Sequence, residues 1–216
     1  WYENTDGKGT FGSQQIVSAS ADGAHSIIAA DLDGDGDMDL ASASDLDDKI
    51  AWYENTDSNG TFGSQQIVST SASGRASVFA ADLDGDGDMD LASASYNDDK
   101  IAWYENTDSN GTFGSQQVVS TSADGAASVF AADLDGDGDM DLASASYNDD
   151  KIAWYENTIK VVFGSQQIIS TSTDGTYSVF AADLDGDGDI DLASASWRDD
   201  KIAWYENTDG KGTFGS

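Results

Sequence analysis

The chain has 216 residues and a formal net charge of −32, with 41 acidic and only 9 basic side chains. Such a charge repels phosphate groups, so nucleic acids and anionic membrane surfaces are poor partners. The alternative explanation of the excess acid is a solvated surface adapted to high salt. The sequence has no cysteine, which excludes disulfides, and no apolar run of transmembrane length.

Internal repetition is the strongest feature of the sequence. The segment Trp-Tyr-Glu-Asn-Thr begins at Trp1, Trp52, Trp103, Trp154 and Trp204. The chain is therefore predicted to be a single repeat domain, with repeats 1–51, 52–102, 103–153 and 154–203 and a partial repeat 204–216. It begins inside a repeat, which favours a processed or excised piece.

Each repeat is predicted to contain four short strands, A to D, in this chain order. Taking one period as the example, strand A is 77–83, strand B is 89–95, strand C is 100–107 and strand D is 113–120. β-Branched and aromatic segments separated by Gly, Asn and Asp are typical of strands. Four antiparallel strands in about 50 residues match one β-propeller blade. The predicted fold is all-β, a propeller with about four blades per chain. A parallel β-solenoid is the alternative, although its coil is usually shorter.

An acidic loop joins strands A and B in every repeat. Five aspartates alternate with other residues in each copy: Asp31, Asp33, Asp35, Asp37 and Asp39; Asp82, Asp84, Asp86, Asp88 and Asp90; Asp133, Asp135, Asp137, Asp139 and Asp141; Asp183, Asp185, Asp187, Asp189 and Asp191. Two carboxylates 5 Å apart repel by about 3 kcal/mol at an effective dielectric constant near 20. A hard divalent cation converts this repulsion into binding, which predicts about four Ca²⁺ per chain. An EF-hand is excluded, because Ser42 stands where its bidentate Glu is needed.

Each repeat combines three segments: Ala-Asp-Leu-Asp-Gly-Asp-Gly-Asp-Met-Asp-Leu, then Lys-Ile-Ala-Trp-Tyr-Glu-Asn-Thr, and then Gly-Thr-Phe-Gly-Ser, with small variations between copies. This combined motif resembles the FG-GAP/VCBS repeat family, and the resemblance covers the whole chain. The resemblance implies calcium-binding propeller blades like those of the integrin α-subunit head. In the first loop it implies calcium ligation by the side chains of Asp31, Asp33, Asp35 and Asp39 and by the backbone carbonyl of Asp37. The other three loops map in the same way.

Differences between the copies concentrate in the turns opposite these loops. The B–C turn carries aromatic and polar residues, which predict a recognition surface for a ligand such as a sugar: Tyr96, Asn97, Tyr147, Asn148, Trp197 and Arg198. The D–A connection also varies, for example at Arg75 and Tyr177. Neutral drift in exposed turns is the alternative. The segment 159–162 is a further difference between the copies, because largely apolar residues replace a polar C–D turn. This segment is predicted either to extend a hairpin or to contact another chain.

Catalysis has little support in the sequence. His25 is the only histidine, and the aspartates are already assigned to cations. Segments 7–12 and 210–215 match the dinucleotide fingerprint, but a strand rather than the required helix is predicted to follow. We therefore expect a non-enzymatic module for recognition or adhesion, with a glycan or protein ligand. The family resemblance implies an extracellular or cell-surface location. A structural scaffold without a ligand is the alternative.

The two ends of the chain are redundant, because residues 1–13 are identical to residues 204–216. Four blades could close within one chain, using the N-terminal strand D. Alternatively, two chains could form one eight-bladed ring by exchanging terminal strands. Open strand edges invite association, and the redundant ends favour exchange, so a homodimer is predicted and a monomer is the alternative.

Overall fold

The computed structural model describes residues 1–158 and 161–215. The described residues form strands and no helix, and none of them makes a helix that could cross a membrane. The strands in chain order are β1 (Tyr2–Asn4), β2 (Phe11–Gln14), β3 (Ala24–Ala30), β4 (Asp39–Ser44), β5 (Lys49–Tyr53), β6 (Gln66–Ser69), β7 (Ala76–Ala81), β8 (Asp90–Ser95), β9 (Lys100–Tyr104), β10 (Gln117–Ser120), β11 (Ala126–Ala132), β12 (Asp141–Ser146), β13 (Lys151–Tyr155), β14 (Gln167–Ser170), β15 (Thr176–Ala182), β16 (Asp191–Ser196) and β17 (Lys201–Tyr205).

The strands form a series of antiparallel sheets, one for each Asp loop. Sheet 1 (β3–β6), sheet 2 (β7–β10) and sheet 3 (β11–β14) each have four strands in chain order. Sheet 4 (β15–β17) has three strands, and β1 and β2 form a separate hairpin at the front of the chain. The all-β class and the repeated four-stranded antiparallel sheet are thus confirmed. Closure into a propeller stays a prediction.

Strands A and B begin and end close to the predicted residues, whereas strands C and D are shorter. Strand C was predicted at 100–107, but β9 ends at Tyr104. In sheet 2, strand D was predicted at 113–120, but β10 covers only Gln117–Ser120. Phe113 forms an isolated bridge with Asn106, and the Gly114 N–H donates to the Glu105 carbonyl at 2.7 Å. The chain therefore leaves the ladder after this bridge and rejoins it only at Gln117.

The hydrophobic core lies between consecutive sheets. Each junction packs a Trp of strand C against the next sheet: Trp52, Trp103 and Trp154 are 2–4% exposed. Small side chains in the second strand, such as the fully buried Ala43, Ala94 and Ala145, let the next sheet approach closely. Equivalent residues recur at each junction, so the three junctions between sheets 1 and 2, 2 and 3, and 3 and 4 are packed in the same way.

The irregular C–D turn of sheet 3 lies partly outside the described residues, which do not include Ile159 and Lys160. Val161 stands where the other turns have glycine, and its φ is +65°. This left-handed conformation is costly for a β-branched residue. Val161 packs against the core between sheets 2 and 3, whereas Val162 is 62% exposed. The apolar turn thus contributes one side chain to the core and exposes another.

Candidate metal centres and ligand cleft

Each Asp loop folds around its first carboxylate. In the first loop, the Asp31 carboxylate accepts the N–H of Gly34 at 2.8 Å and that of Gly36 at 3.0 Å. Both glycines have positive φ, 73° and 95°, which allows the chain to turn this tightly. The same pair of hydrogen bonds recurs in the other three loops. The repeated Asp-Gly pattern therefore dictates one loop conformation four times.

The folded loops bring three carboxylates together in every repeat. In each triad, one oxygen from every member lies within 4.8 Å of the others. The four triads are Asp31, Asp33 and Asp39; Asp82, Asp84 and Asp86; Asp133, Asp135 and Asp141; and Asp183, Asp185 and Asp191. Oxygen ligands at this separation suit a hard divalent cation. Each repeat could therefore hold one metal ion.

The ninth residue of each Asp loop is a buried aspartate, and its carboxylate loses its contact with water on folding. Asp90 is fully buried, and it accepts the N–H groups of Leu83 at 2.9 Å and of Asn106 at 2.7 Å. Burial raises the pKa of Asp90 to about 7, despite these two hydrogen bonds. The pKa of Asp141 is raised to about 7 for the same reason. A bound cation would offset this desolvation of the ionised form, so the donor set fits a metal centre.

The fifth and seventh loop residues take different positions. Position five joins the triad only in the second loop, as Asp86. At position seven, the Asp88 carboxylate accepts the hydroxyl of Ser109 from the C–D turn at 2.6 Å, and Asp37 accepts Ser58 in the same way. These two carboxylates are therefore directed to a neighbouring turn. The predicted calcium ligation by their backbone carbonyls stays a prediction.

One functional residue was missed by the sequence analysis, namely the Asn of Trp-Tyr-Glu-Asn-Thr. Asn106 is 1% exposed, and its side-chain amide donates to the Leu32 carbonyl at 2.9 Å and to the Met89 carbonyl at 3.3 Å. Leu32 belongs to the Asp loop of sheet 1 and Met89 to that of sheet 2. Asn157 and Asn207 repeat this arrangement at the next two junctions. A single amide thus ties each Asp loop to the preceding one.

We expect the substitution Asn106→Ala to destabilise the protein by about 2–4 kcal/mol. It removes the partner of two backbone carbonyls at a buried junction, and each unsatisfied buried group costs roughly 1–3 kcal/mol. Urea unfolding in saturating calcium measures the effect. Asn4→Ala is the matched control, because Asn4 is the same residue of the motif but is exposed in the front hairpin. Equal losses for the two variants would contradict the role given to Asn106.

A second site lies at the opposite end of the sheets, where the B–C turns and D–A connections meet. A cleft of about 550 Å³ opens there, lined by Arg75, Tyr147, Tyr177, Ala195, Ser196 and Trp197. These residues come from sheets 2, 3 and 4. Because strand B spans six residues between the Asp loop and the B–C turn, the cleft is about 20 Å from the carboxylate triads.

Aromatic side chains in contact with each other form the walls of the cleft. Tyr147 and Trp197 are stacked with their ring centroids 6.4 Å apart, and Tyr177 meets Tyr147 edge-on at 6.5 Å. Trp197 remains 70% exposed. The Tyr177 hydroxyl lies 3.1 Å from Nε2 of His25, within hydrogen-bond distance. A side-chain hydrogen bond with Tyr177 also raises the pKa of Arg75. Flat apolar faces are thus combined with polar groups at one open site.

The structure separates the six predicted ligand residues into two groups. Tyr147 and Trp197 line the cleft. The other four lie in contacts around it: the Tyr96 hydroxyl donates to Asn148 at 2.9 Å, the Arg198 guanidinium lies 4.5 Å from the Tyr147 ring centroid, and Asn97 lies against Gly74. Arg75 and Tyr177, which the sequence marked only as variable, line the cleft instead. The only feature of the sequence that pointed to these two residues was that they differ between the repeats.

Comparison with known proteins identifies the repeats. A family model described as an FG-GAP-like repeat matches residues 1–42, 31–93, 82–144 and 133–194. No curated protein matches the chain.

Two solved structures are similar to this chain. One is a lectin of Agrocybe aegerita that specifically recognises non-reducing terminal N-acetylglucosamine. It shares 23% identity with a TM-score of 0.63, and the match covers 87% of this chain and 50% of the lectin. The other is the V. cholerae biofilm matrix protein Bap1, with 20% identity, a TM-score of 0.46 and coverage of 89% of this chain and 32% of Bap1. This chain therefore spans half the length of the lectin.

Proposed function

Because the chain belongs to the FG-GAP-like repeat family, we propose that it is a calcium-binding β-propeller module for recognition or adhesion. In this proposal each sheet is one blade, and one Ca²⁺ binds to the carboxylate triad of each Asp loop. The ligand is a glycan, bound at the opposite end of the blades. The module is not an enzyme, and it acts outside the cell.

Calcium is proposed because the triads combine oxygen ligands with a buried charge. The fully buried Asp90 lies in the same loop as the triad Asp82, Asp84 and Asp86. Burial raises the pKa of Asp90, and repulsion from Asp84 and Asp86 adds to this effect. Flexible loops with several carboxylates and carbonyls suit the larger coordination number of Ca²⁺, whereas Mg²⁺ retains water and needs stricter octahedral geometry. Calcium would hold the A–B loop closed, and through Asn106 it would also stabilise the junction with the preceding sheet.

The aromatic cleft is the single observation that carries the recognition function. Sugar rings present apolar faces and hydroxyl edges, which fit exposed aromatic rings flanked by hydrogen-bonding groups. Trp197 offers an exposed ring, while Arg75 and Tyr177 offer polar groups. The lectin with a similar structure recognises terminal N-acetylglucosamine, which makes glycans with this terminus the first probes.

Titration calorimetry of an N-acetylglucosamine-terminated oligosaccharide in saturating calcium tests the proposal. We expect binding, and we expect Trp197→Ala to weaken it at least about tenfold, since a central aromatic contact is often worth more than 1.4 kcal/mol. Leu46→Ala is the matched control. Leu46 is 72% exposed in the B–C turn of sheet 1 and does not line the cleft, so this variant should bind like the original chain.

A glycan array separates the two candidate functions. Absence of signal from every glycan in saturating calcium, with the protein folded, would contradict glycan recognition. It would favour the second candidate, a repeat scaffold in which calcium is purely stabilising. The near-identity of the four repeats is the observation that favours this scaffold. The predicted absence of nucleic-acid binding and of membrane insertion, and the homodimer with exchanged terminal strands, also remain proposals.

A further inference from the structure

The last sheet exposes the face that every earlier sheet buries. At the three internal junctions, the Leu of the Asp loop and the Ile and Trp of strand C are at most 4% exposed: Leu32, Leu83, Leu134, Ile50, Ile101, Ile152, Trp52, Trp103 and Trp154. The equivalent residues of sheet 4 are Leu184, Ile202 and Trp204, which are 47%, 88% and 49% exposed. Sheet 4 therefore carries a complete junction face that the described residues leave uncovered.

The front of the chain exposes part of the opposite face. Ile27 of sheet 1 is 66% exposed, whereas the valines at the same place in sheets 2 to 4, Val78, Val129 and Val179, are 3–4% exposed. An apolar cleft of about 400 Å³ lies beside it, lined among others by Ala29 and Leu40. Sheet 1 thus lacks a packing partner over strands A and B.

The front hairpin covers the remainder of this face. Trp1 lies against Gly60 of sheet 1, as Trp52 lies against Gly111 at the first internal junction. The hairpin therefore occupies the place of strands C and D of a preceding sheet. Sheet 4, at the other end, has strands A, B and C within the residues described, which end at 215. Since residues 1–13 and 204–216 are identical, the two ends overlap in strand C and supply each other's missing strands.

We propose that sheet 4 of one copy docks on sheet 1 of a second copy, with β17 in the place of the second copy's β1. The interface repeats the internal junctions, so Ile202 and Trp204 would meet the uncovered face around Ile27. Residues 15–18 of the second copy then add strand D to sheet 4. By analogy with the pairing of β5 and β6, this places Ile202 opposite Ser18 and Ala203 opposite Ile16.

The match with the internal junctions indicates that the occupant is another repeat of this kind, and a second copy of the 216-residue chain supplies one. Leu184, Ile202 and Trp204 of sheet 4 have identical counterparts inside the chain, and each counterpart is buried against another repeat. The contact is heterologous, because it joins the end of one chain to the start of another. Such contacts either close into a ring or extend into a filament. Ala195 of the aromatic cleft is the counterpart of the buried Ala43, Ala94 and Ala145, so a docked copy would border the cleft. Assembly is therefore measured by particle mass and cross-linking, and not by ligand binding.

Light scattering after size-exclusion chromatography gives the first test. The chain has a mass of 22.6 kDa, and we expect a particle of at least two chains. Ile202→Glu should reduce it to a single chain, because it introduces a charge into the docking face. Folding of the single chain should be unaffected, since Ile202 is 88% exposed. Val118→Glu is the control, because Val118 is 52% exposed on strand D of sheet 2, away from both ends of the sheet series, and this variant should keep the larger mass.

Disulfide cross-linking tests the strand pairing itself. The chain has no cysteine, so Ile16→Cys and Ala203→Cys can be made in separate chains and mixed under oxidising conditions. Directly opposite residues of paired strands lie close enough for a disulfide. We expect a disulfide-linked dimer that reduction dissolves, and none when Leu46→Cys replaces Ile16→Cys. A single-chain mass for the original protein, or no cross-link in the first mixture, would overturn the proposal.

Discussion

Trp103→Ala should lower the free energy of unfolding by about 3–5 kcal/mol, one of the two largest effects expected in this protein. Trp103 is 2% exposed and lies in the core between sheets 2 and 3, together with Leu142 and Tyr155. Truncating a buried Trp removes a large apolar surface and leaves a cavity that rigid sheets fill only partly. The loss is expected to separate sheet 2 from sheet 3 as well, because this junction has no covalent reinforcement other than the chain itself.

Chemical denaturation in saturating calcium measures this effect, and Trp197→Ala serves as the control. Trp197 is the same residue type but is 70% exposed in a B–C turn, so its truncation should cost less than about 1 kcal/mol. Similar losses for the two variants would contradict the assignment of the core to the junctions between sheets. The contrast therefore tests packing rather than the general value of a Trp side chain.

The architecture could be predicted from sequence to the level of the sheet but not of the assembly. The repeat period, the β-branched segments and the Asp-Gly loops were sufficient for four strands per repeat. The end of strand A was predicted at Leu83, but β7 ends at Ala81. The Leu83 N–H is instead bound by the Asp90 carboxylate, and its side chain turns into the core. The early end of strand A therefore depends on tertiary contacts of Leu83, which the local sequence pattern does not reveal.

The carboxylate triads could be predicted from the sequence more completely than the rest of the candidate site. Each triad comes from one short loop, so spacing alone brings its members together. Asn106 was missed because its partner Leu32 lies 74 residues away in the chain, and an Asn at a strand end has many local explanations. Only two of the six predicted ligand residues, Tyr147 and Trp197, line the cleft, for a similar reason. His25 and Tyr177 are in contact although 152 residues separate them, and only the curvature of the sheet series brings them together.

The second large effect is calcium removal. A ligand that binds only the folded state stabilises it by about 2.7 kcal/mol per site when its concentration is 100 times Kd. Four independent sites would therefore contribute roughly 10 kcal/mol. For a chain of this size, 1 kcal/mol shifts Tm by roughly 2–4 °C, so saturating calcium should raise Tm by about 20 °C or more. The buried Asp39, Asp90, Asp141 and Asp191, one in each loop, are the physical reason for so large a dependence.

Thermal unfolding with saturating calcium and with a chelator tests the central claim most directly. Both samples should have equal ionic strength, because a chain with a net charge of −32 also gains stability from simple screening. The proposed calcium centres predict a Tm that falls by about 20 °C or more in the chelator. An unchanged Tm would contradict the assignment of the four Asp loops as stabilising calcium sites.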